Sequence, residues 1–309
     1  MLAIVSLIAP FFTLIAVGYI AGRRVQRPVE GLAWLNVFIV YLALPALFFQ
    51  LLSKTPVETL ASGGFVATTT ASTFLVVALL FGLALLRRAG LEQATIQGLA
   101  GGYGNIGYMG PGLALAALGP GAAVPVALVF CFDNALHFIL TPTVMAISRR
   151  EGTAGTVALG VVRQIFGHPF ILATLVGLGA AVFHLSPPAF LDRTLQLLAG
   201  AAAPCALFAM GVTLALRPLK RVPLEMAWIV PAKLVLHPLV VWGALSLTGP
   251  HDPVWVSAAV LLASLPTATN VFVLAQQYGV WTERASACIL VSTVASVVTI
   301  TLWLLVLTG

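Results

Sequence analysis

The stretch GGYGNIGYMGPG at residues 101–112 interrupts a long apolar segment, and SLPTATN at residues 264–270 interrupts another in the second half of the chain. Glycine and proline destabilise a helix interior, because glycine costs backbone order and proline lacks an N–H donor. In lipid, an unpaired backbone group costs several kcal/mol, so a broken helix persists only inside protein or beside a watery cavity. Interruptions at matching places in two halves of a chain indicate a transporter's binding site. We therefore place the function at these two breaks.

The composition is that of a membrane protein. Apolar residues make up 60% of the 309 residues and charged residues only 8%, against about 25% charged in soluble domains. Because about 20 apolar residues cross a bilayer, the sequence predicts an all-α polytopic membrane protein, a single membrane domain over residues 1–309. The ten predicted spans lie near residues 4–21, 31–52, 63–86, 95–118, 122–147, 165–184, 190–214, 225–247, 255–277 and 285–307.

The basic residues are distributed unequally between the two sets of loops. The loops that follow odd-numbered spans hold twelve of them, and the opposite loops hold only Lys54 and Arg193. This bias predicts that the first set is cytoplasmic and that both termini lie outside the cytoplasm. The net charge of +6 therefore reflects topology and not nucleic-acid binding. The twelve are Arg23, Arg24, Arg27, Arg87, Arg88, Arg149, Arg150, Arg163, Arg217, Lys220, Arg221 and Arg284.

The two halves of the chain align with a constant shift of 159 residues. PFFTLIAVG at 10–18 falls on PFILATLVG at 169–177, and Phe49 falls on Phe208. The same shift brings the broken span 4 onto the broken span 9. The pattern predicts two repeats, at approximately 1–150 and 160–309, which have opposite orientations because five spans is an odd number. Inverted repeats place a substrate site near the midplane, where the broken helices 4 and 9 meet.

Both breaks resemble one known family. NIGYMGP at 105–111 resembles the Asn-Thr-x-x-x-Gly-Ile-Pro stretch of the auxin efflux carrier family, and LPTATNVFVLAQQY at 265–278 is similar to that family's ninth span. The resemblance is strongest to bacterial members described as permeases of malonate or other organic anions. It departs in one place: the proline comes one position early, in GPG at 110–112. The long cytoplasmic loop of plant members corresponds here to a short link, about residues 148–164.

That resemblance implies a fold and a setting. The family's ten helices divide into a scaffold and a transport part, helices 4 and 9 cross at their breaks, and bile acid symporters share the fold in outline. A bacterial member would be integral to the cytoplasmic (inner) membrane and surrounded by lipid. Its substrate would be a small organic anion. The sequence leaves the oligomeric state open, a homodimer included.

Two asparagines are the foremost candidates for substrate contact. Asn105 and Asn270 each offer two donors and one acceptor, and Asn105 matches the substrate-contacting asparagine of the family's fourth span. The alternative is that each amide only caps backbone freed by its break. Half-helices that start near Pro111 and Pro266 would present positive dipole ends. The predicted site, which attracts an anion without any arginine, also includes Gly104, Gly110, Thr267 and Thr269.

Two pairs of ionisable residues lie inside the spans, Asp133 with His137 and Lys233 with His237. Each pair is four residues apart and so shares a helix face, and such groups cost at least ~2.5 kcal/mol each at the membrane centre. Counted from the cytoplasmic ends of their spans, Lys233 lies ~12 Å deep and Asp133 ~22 Å deep. A direct ion pair would therefore require the predicted span bounds to be wrong by several residues. Lys233 could instead snorkel to the interface. Asp133 has His137 as its nearest available partner. We expect the two residues to form either a coupling-ion site, for H+ rather than Na+, or a structural polar network.

Other classes of site have weaker support in the sequence. GYGNIG at 102–107 matches the dinucleotide-binding glycine pattern, but apolar spans flank it where a strand is required. The sequence has no catalytic cluster and no His/Cys metal motif, so no enzyme activity, cofactor or metal is predicted. We expect a secondary active transporter of small organic anions that works by alternating access, elevator-like or rocking. The alternatives are a cation/proton exchanger, which would place carboxylates in spans 4 and 9, and a non-transporting sensor or intramembrane enzyme.

Overall fold

The computed structural model describes residues 2–54, 62–149, 154–216 and 222–308. These residues form helices, and no strand occurs among them. The predicted cytoplasmic charges Arg150, Arg217, Lys220 and Arg221 lie outside the described residues.

The helices follow the apolar segments of the sequence closely. In chain order they are α1 Leu2–Val25, α2 Ala33–Phe38, α3 Leu44–Leu52, α4 Gly63–Leu86, α5 Leu91–Gly102, α6 Gly110–Leu118, α7 Ala123–Arg149, α8 Ala154–Phe166, α9 Pro169–Val182, α10 Ala189–Leu216, α11 Met226–Pro231, α12 His237–Leu247, α13 Pro253–Ser264, α14 Thr269–Tyr278 and α15 Thr282–Thr308. Turns of π-helix join α2 to α3 and α11 to α12, at Ile39–Ala43 and Ala232–Leu236.

Seven of the described helical segments are long and apolar enough to cross a membrane. The other three predicted spans correspond to shorter helices: α9, the broken pair α5 and α6, and the broken pair α13 and α14. The chain is therefore an integral, multi-pass membrane protein. One helix was not predicted, since α8 occupies most of the segment taken from the sequence as a link. This segment consists mostly of apolar residues, and its 13-residue helix is too short to cross a bilayer.

The chain forms two compact units, and each is built from three separate segments. The first contains Met1–Gly63, Gly107–Cys131 and Gly167–Pro218, and the second contains Gly64–Ile106, Phe132–Phe166 and Leu219–Gly309. Both units draw on both halves of the sequence. The prediction of two sequence repeats within one membrane domain stays a prediction.

Close helix packing organises the first unit. A Cβ on Gly18 would lie 2.2 Å from the carbonyl oxygen of Phe208, so α1 approaches α10 to a distance that only glycine allows. A second glycine, Gly177 of α9, faces the backbone of Phe49 in α3, where a Cβ would lie 3.3 Å from its Cα. These contacts bring α1 against α10 and α9 against α3.

In the second unit, polar contacts join helix ends on two sides. At one end Arg149 binds Glu92 (Nη2 to Oε2, 2.9 Å) and donates to the carbonyl oxygen of Tyr278. Arg284 forms an ion pair with Glu225, which directly precedes α11. Elsewhere in this unit, the Thr68 hydroxyl in α4 donates to the Thr248 hydroxyl at the end of α12, and the rings of Phe65 and Trp255 contact edge to face. Loops assigned from charge to the same side of the membrane therefore do share one end of this unit.

Candidate functional site

The structure contains both interruptions predicted from the sequence. α5 ends at Gly102 and α6 begins at Gly110, while α13 ends at Ser264 and α14 begins at Thr269. Pro111 stands in the first turn of α6, as predicted. Pro266 does not begin α14 but precedes it by three residues, so the predicted helix start near Pro266 is wrong. The intervening backbone is instead committed to contacts with the first break.

Within the second unit, the two breaks pair their backbones. The Asn105 N–H donates to the Pro266 carbonyl oxygen at 2.7 Å, and the Ala268 N–H donates to the Tyr103 carbonyl oxygen at 2.9 Å. Gly104 and Thr267 form an isolated antiparallel bridge between them. Two N–H groups and two carbonyl groups of the interrupted helices are therefore satisfied by the opposite break, as an apolar surrounding favours.

Gly104 packs closely against α13 and the side chain of Lys233. A Cβ at this position would lie 3.2 Å from both the Leu262 carbonyl oxygen and the Lys233 Nζ. A larger residue would require these neighbours to move by a few tenths of an ångström. Glycine therefore favours the close approach at this position.

Thr267 is fully buried, and its polar groups are engaged by the protein. Its hydroxyl donates to the Ala100 carbonyl oxygen at 2.7 Å, and its N–H donates to the Ser292 hydroxyl at 3.1 Å. The first bond satisfies a carbonyl in the last turn of α5, where helices leave acceptors unpaired. Thr267 thus stabilises the breaks through its side chain as well as its backbone. Thr269 is partly buried in the first turn of α14.

The two predicted asparagines differ in accessibility. Asn105 is buried, with 3% of its surface exposed, whereas Asn270 is exposed. The Asn270 Nδ2 donates to the Tyr103 hydroxyl at 2.9 Å, and that hydroxyl donates to Oδ1 of Asn134. Asn270 is therefore the more accessible of the two amides, while Asn105 belongs to the interior of the paired breaks. Gly110 and Pro111 lie in the other unit, in the first turn of α6.

The buried charges of the second unit are joined by hydrogen bonds. The Thr73 hydroxyl donates to Asp133 Oδ2 at 3.0 Å and lies 3.1 Å from His237 Nε2. Because that hydroxyl has a single proton, it must accept from a protonated Nε2. His237 Nδ1 is then free to accept from Lys233 Nζ at 3.2 Å. The bonds run in one direction, from the ammonium group of Lys233 to the carboxylate of Asp133.

Lys233 is fully buried, so the interpretation that it snorkels to the interface is wrong. Its Nζ also donates to the carbonyl oxygen of Ala263, next to the end of α13. The π-helical turn at Ala232–Leu236 carries it, and such turns occur frequently at functional sites. Within the described parts of the chain, Lys233 and Asp133 form no direct ion pair. The relay through His237 and Thr73 replaces one.

His137 does not partner Asp133 as expected from the sequence. Its ring stacks on Tyr103, with centroids 4.0 Å apart and planes inclined by 28°. Neither ring nitrogen of His137 has a hydrogen-bond partner among the described residues, and the same holds for Oδ1 of Asp133. Thr73 holds the carboxylate instead. The structure nevertheless brings Asp133, His137, Lys233 and His237 into the same unit as the paired breaks.

Sequence reasoning missed two residues of this constellation, Thr73 and Tyr103. Tyr103 stands beside predicted site residues, but a tyrosine next to a break carries no unique signal. Thr73 closes the run TTTAST at residues 68–73, an unusual density of hydroxyl groups for a span. That run was the available signal.

The amino-acid sequence is similar to those of known membrane transporters. The sequence model of the family described as "Membrane transport protein" matches residues 3–304. The chain is 60% identical over 303 residues to the "Putative malonate transporter" of Rhizobium meliloti (strain 1021), which covers 97% of this chain and 95% of that protein. It is 25% identical over 315 residues to the "Uncharacterized transporter YfdV" of Escherichia coli (strain K12), with 96% and 95% covered. An "Uncharacterized transporter" of Methanothermobacter thermautotrophicus is 26% identical over 301 residues, with 95% of each chain covered.

Proposed function

Because this chain belongs to the membrane transport protein family, that of the auxin efflux carriers, and is a multi-pass transporter, we propose that it carries small organic anions by secondary active transport. It does so by alternating access with an elevator-like motion and catalyses no reaction. The observation that carries the proposal is the backbone pairing of the two breaks at Asn105–Pro266 and Tyr103–Ala268. Broken helices that meet in this way form the substrate sites of secondary transporters.

The substrate class proposed is a small carboxylate, with malonate as the first candidate. The exposed Asn270 amide lies in the first turn of α14, where backbone N–H groups and the helix dipole favour an anion. The paired backbones of the two breaks, which contain Gly104, Asn105, Pro266 and Thr267, are linked to this position through Tyr103, and Thr269 precedes Asn270 in the same turn. The name of the Rhizobium relative, at 60% identity, supports malonate.

The architecture proposed is ten transmembrane helices in one membrane domain, arranged as two inverted five-helix repeats in which helices 4 and 9 cross at their breaks. Two contacts of the first unit support the repeat. Gly18 packs on Phe208, and Gly177 packs on Phe49. The shift of 159 residues aligns Gly18 with Gly177 and Phe49 with Phe208. Each contact therefore joins the counterparts of the two residues that form the other contact. A two-fold relation between repeats 1–150 and 160–309 requires this equivalence.

Protons are the coupling ion proposed. The hydrogen bonds from Lys233 through His237 and Thr73 to Asp133 offer a path along which a proton passes between the two buried charges without bulk water. A sodium site would need several hard oxygen ligands together, whereas the carboxylate of Asp133 is linked through Thr73 and His237 to an ammonium group. The same geometry weighs against a cation/proton exchanger, since the carboxylate lies off the paired breaks.

The membrane proposed is the bacterial cytoplasmic membrane, with both termini outside the cytoplasm. The end of the second unit that carries Arg87, Arg149 and Arg284 is then the cytoplasmic one, which agrees with the bias of basic residues. Arg87 stacks over Trp228 at 3.9 Å, and tryptophan favours the membrane interface.

A ligand panel tests the proposal. Malonate, succinate, acetate and an aromatic acid are tested for binding to the purified protein by scintillation proximity and thermal shift, each with and without sodium and at two pH values. We expect a saturable carboxylate signal that depends on pH and not on sodium. The absence of binding for every carboxylate in a monodisperse sample contradicts the substrate class, and a strict sodium requirement contradicts the proton.

A further inference from the structure

Tyr103 lies at the centre of the candidate site. It follows the last residue of α5, only 2% of its surface is exposed, and its carbonyl oxygen accepts from the second break. Its ring is stacked on His137, which restricts the position of the hydroxyl. Tyr103 therefore contacts α7 through its side chain and the start of α14 through both its backbone and its side chain.

The tyrosine hydroxyl has only one proton, which the hydrogen-bond geometry assigns to the bond with Asn134. The hydroxyl donates to Oδ1 of Asn134, which can only accept. Toward Asn270 the same oxygen can therefore act only as an acceptor, and it accepts from Nδ2 at 2.9 Å. If the Asn270 amide were flipped, its Oδ1 would face the tyrosine oxygen, and two acceptors without a proton between them would repel.

This bond decides which face the exposed amide presents to a ligand. An isolated, exposed carboxamide flips readily, and its oxygen would then repel an anion. Tyr103 and Asn134, both buried, remove that freedom from Asn270. One N–H of Nδ2 is used by Tyr103, and the second remains as a donor to a carboxylate.

We propose that Tyr103 is a selectivity-determining residue, which with Asn134 as its acceptor holds the Asn270 carboxamide as a hydrogen-bond donor to an anionic ligand. The inference rests on the proposed function, because it concerns the same site. It makes Tyr103 a positioning residue that acts through Asn270. Its effect falls on the preference for a carboxylate over an uncharged analogue of the same shape.

The test compares malonate with its uncharged diamide, malonamide, by competition against radiolabelled malonate on purified protein. Tyr103→Phe keeps the ring and its stacking on His137 but removes both hydrogen bonds. We expect malonate affinity to fall about fivefold, the effect of one hydrogen bond, while malonamide affinity changes less than twofold. Tyr41→Phe removes an exposed hydroxyl in the first unit and serves as the control, with both affinities unchanged.

A second variant, Asn134→Leu, tests the same inference by removing the hydrogen-bond acceptor of the tyrosine hydroxyl. In Asn134→Leu the tyrosine hydroxyl remains but loses its acceptor, so its proton becomes available to Oδ1 of Asn270 and stabilises the flipped amide. We expect the same fall in selectivity. Because both variants act on one chain of bonds, the double variant should lose no more than either single one.

Two results contradict the inference. In the first, the parent protein binds malonate, but Tyr103→Phe leaves the malonate-to-malonamide affinity ratio unchanged, whether neither affinity changes or both fall equally; an equal fall assigns Tyr103 a packing role only. This result contradicts the inference alone. In the second, the parent protein binds no carboxylate of the panel, which contradicts the proposed function and this inference together.

Discussion

Lys233 and Asp133 are the two ends of one hydrogen-bond chain, in which His237 and Thr73 are the links. This series of hydrogen bonds connects a cation to an anion without bringing the two side chains into contact. A buried charge without a partner is costly, and the relay provides each charge with a hydrogen bond while it keeps a path for a proton.

Replacing Thr73 by valine keeps the side-chain shape and removes the hydroxyl that serves both Asp133 and His237. We expect Thr73→Val to lower the free energy of unfolding by about 1–3 kcal/mol, because two buried polar groups lose their partner, and to slow accumulation driven by a pH gradient. Thermal unfolding of the purified protein and uptake into proteoliposomes measure the two effects. Thr69→Val is the matched control, since the buried Thr69 hydroxyl bonds only to carbonyl oxygens of its own helix. Equal behaviour of the two variants would remove the relay from the mechanism.

The amides at the breaks should determine substrate affinity. Asn105→Ala and Asn270→Ala are each expected to weaken malonate binding by ~1.5–3 kcal/mol, the value of a hydrogen bond to a charged group. Because Asn270 is exposed and Asn105 is buried, Asn270→Ala should leave the melting temperature unchanged, whereas Asn105→Ala should also lower it. Scintillation binding together with thermal shift measures both effects. Parental affinity in both variants would move the site away from the breaks.

Asp133 should report on the coupling ion. Asp133→Asn resembles a permanently protonated acid and still accepts from Thr73 through its amide oxygen. It is expected to retain exchange of malonate across a proteoliposome membrane but to lose uphill accumulation driven by a pH gradient. Counterflow measures the exchange, and uptake under an imposed gradient measures the coupling. If the variant concentrates substrate as the parent does, the carboxylate has a structural role.

Both termini are expected outside the cytoplasm, on the basis of the twelve basic residues in one set of loops and two in the other. A reporter that is active only in the cytoplasm, fused after residue 309, should show no activity, and a periplasmic reporter at the same place should be active. Strong cytoplasmic activity would mean that the number of spans is wrong by one. The inverted repeat would then fail as well.

The ion pair of Glu92 with Arg149 predicts a pH effect. Hydrogen bonds from Arg149 hold the pKa of Glu92 below its ordinary value of 4.5. Since the pKa is lower in the folded than in the unfolded state, the pair stabilises the fold above about pH 4.5, and this stabilisation is lost as the pH falls through the lower, folded value. Glu92→Gln should therefore lower the melting temperature at pH 7 and not at acidic pH, with an effect of at most about 1 kcal/mol because the pair is partly exposed to solvent. Glu30→Gln, which changes an exposed glutamate, is the control; a deficit that persists after Glu92 is protonated contradicts the assignment.

By itself the sequence determined the membrane class, the approximate bounds of the helical segments and the positions of both breaks. These features depend on local chemistry: apolar runs form helices in lipid, and glycine or proline interrupts them wherever it occurs. Family membership followed from the same segments, since the two break motifs carry the resemblance. Asn105 and Asn270 were chosen as candidates for the same reason, because each lies in or directly after a break.

The partners of the buried side chains were decided only by the tertiary structure. Distance along a helix gives a residue's depth but not the rotation of that helix or its neighbours, so Thr73 and not His137 holds Asp133, and Lys233 is buried rather than snorkelled. Pro266 shows the same limit: its local preference is to begin a helix, yet the helix starts at Thr269 because the backbone between them pairs with Tyr103 and Asn105. Contacts between residues more than 160 positions apart, such as Tyr103 with Asn270, leave no periodic trace in the chain and arise only when the helices pack.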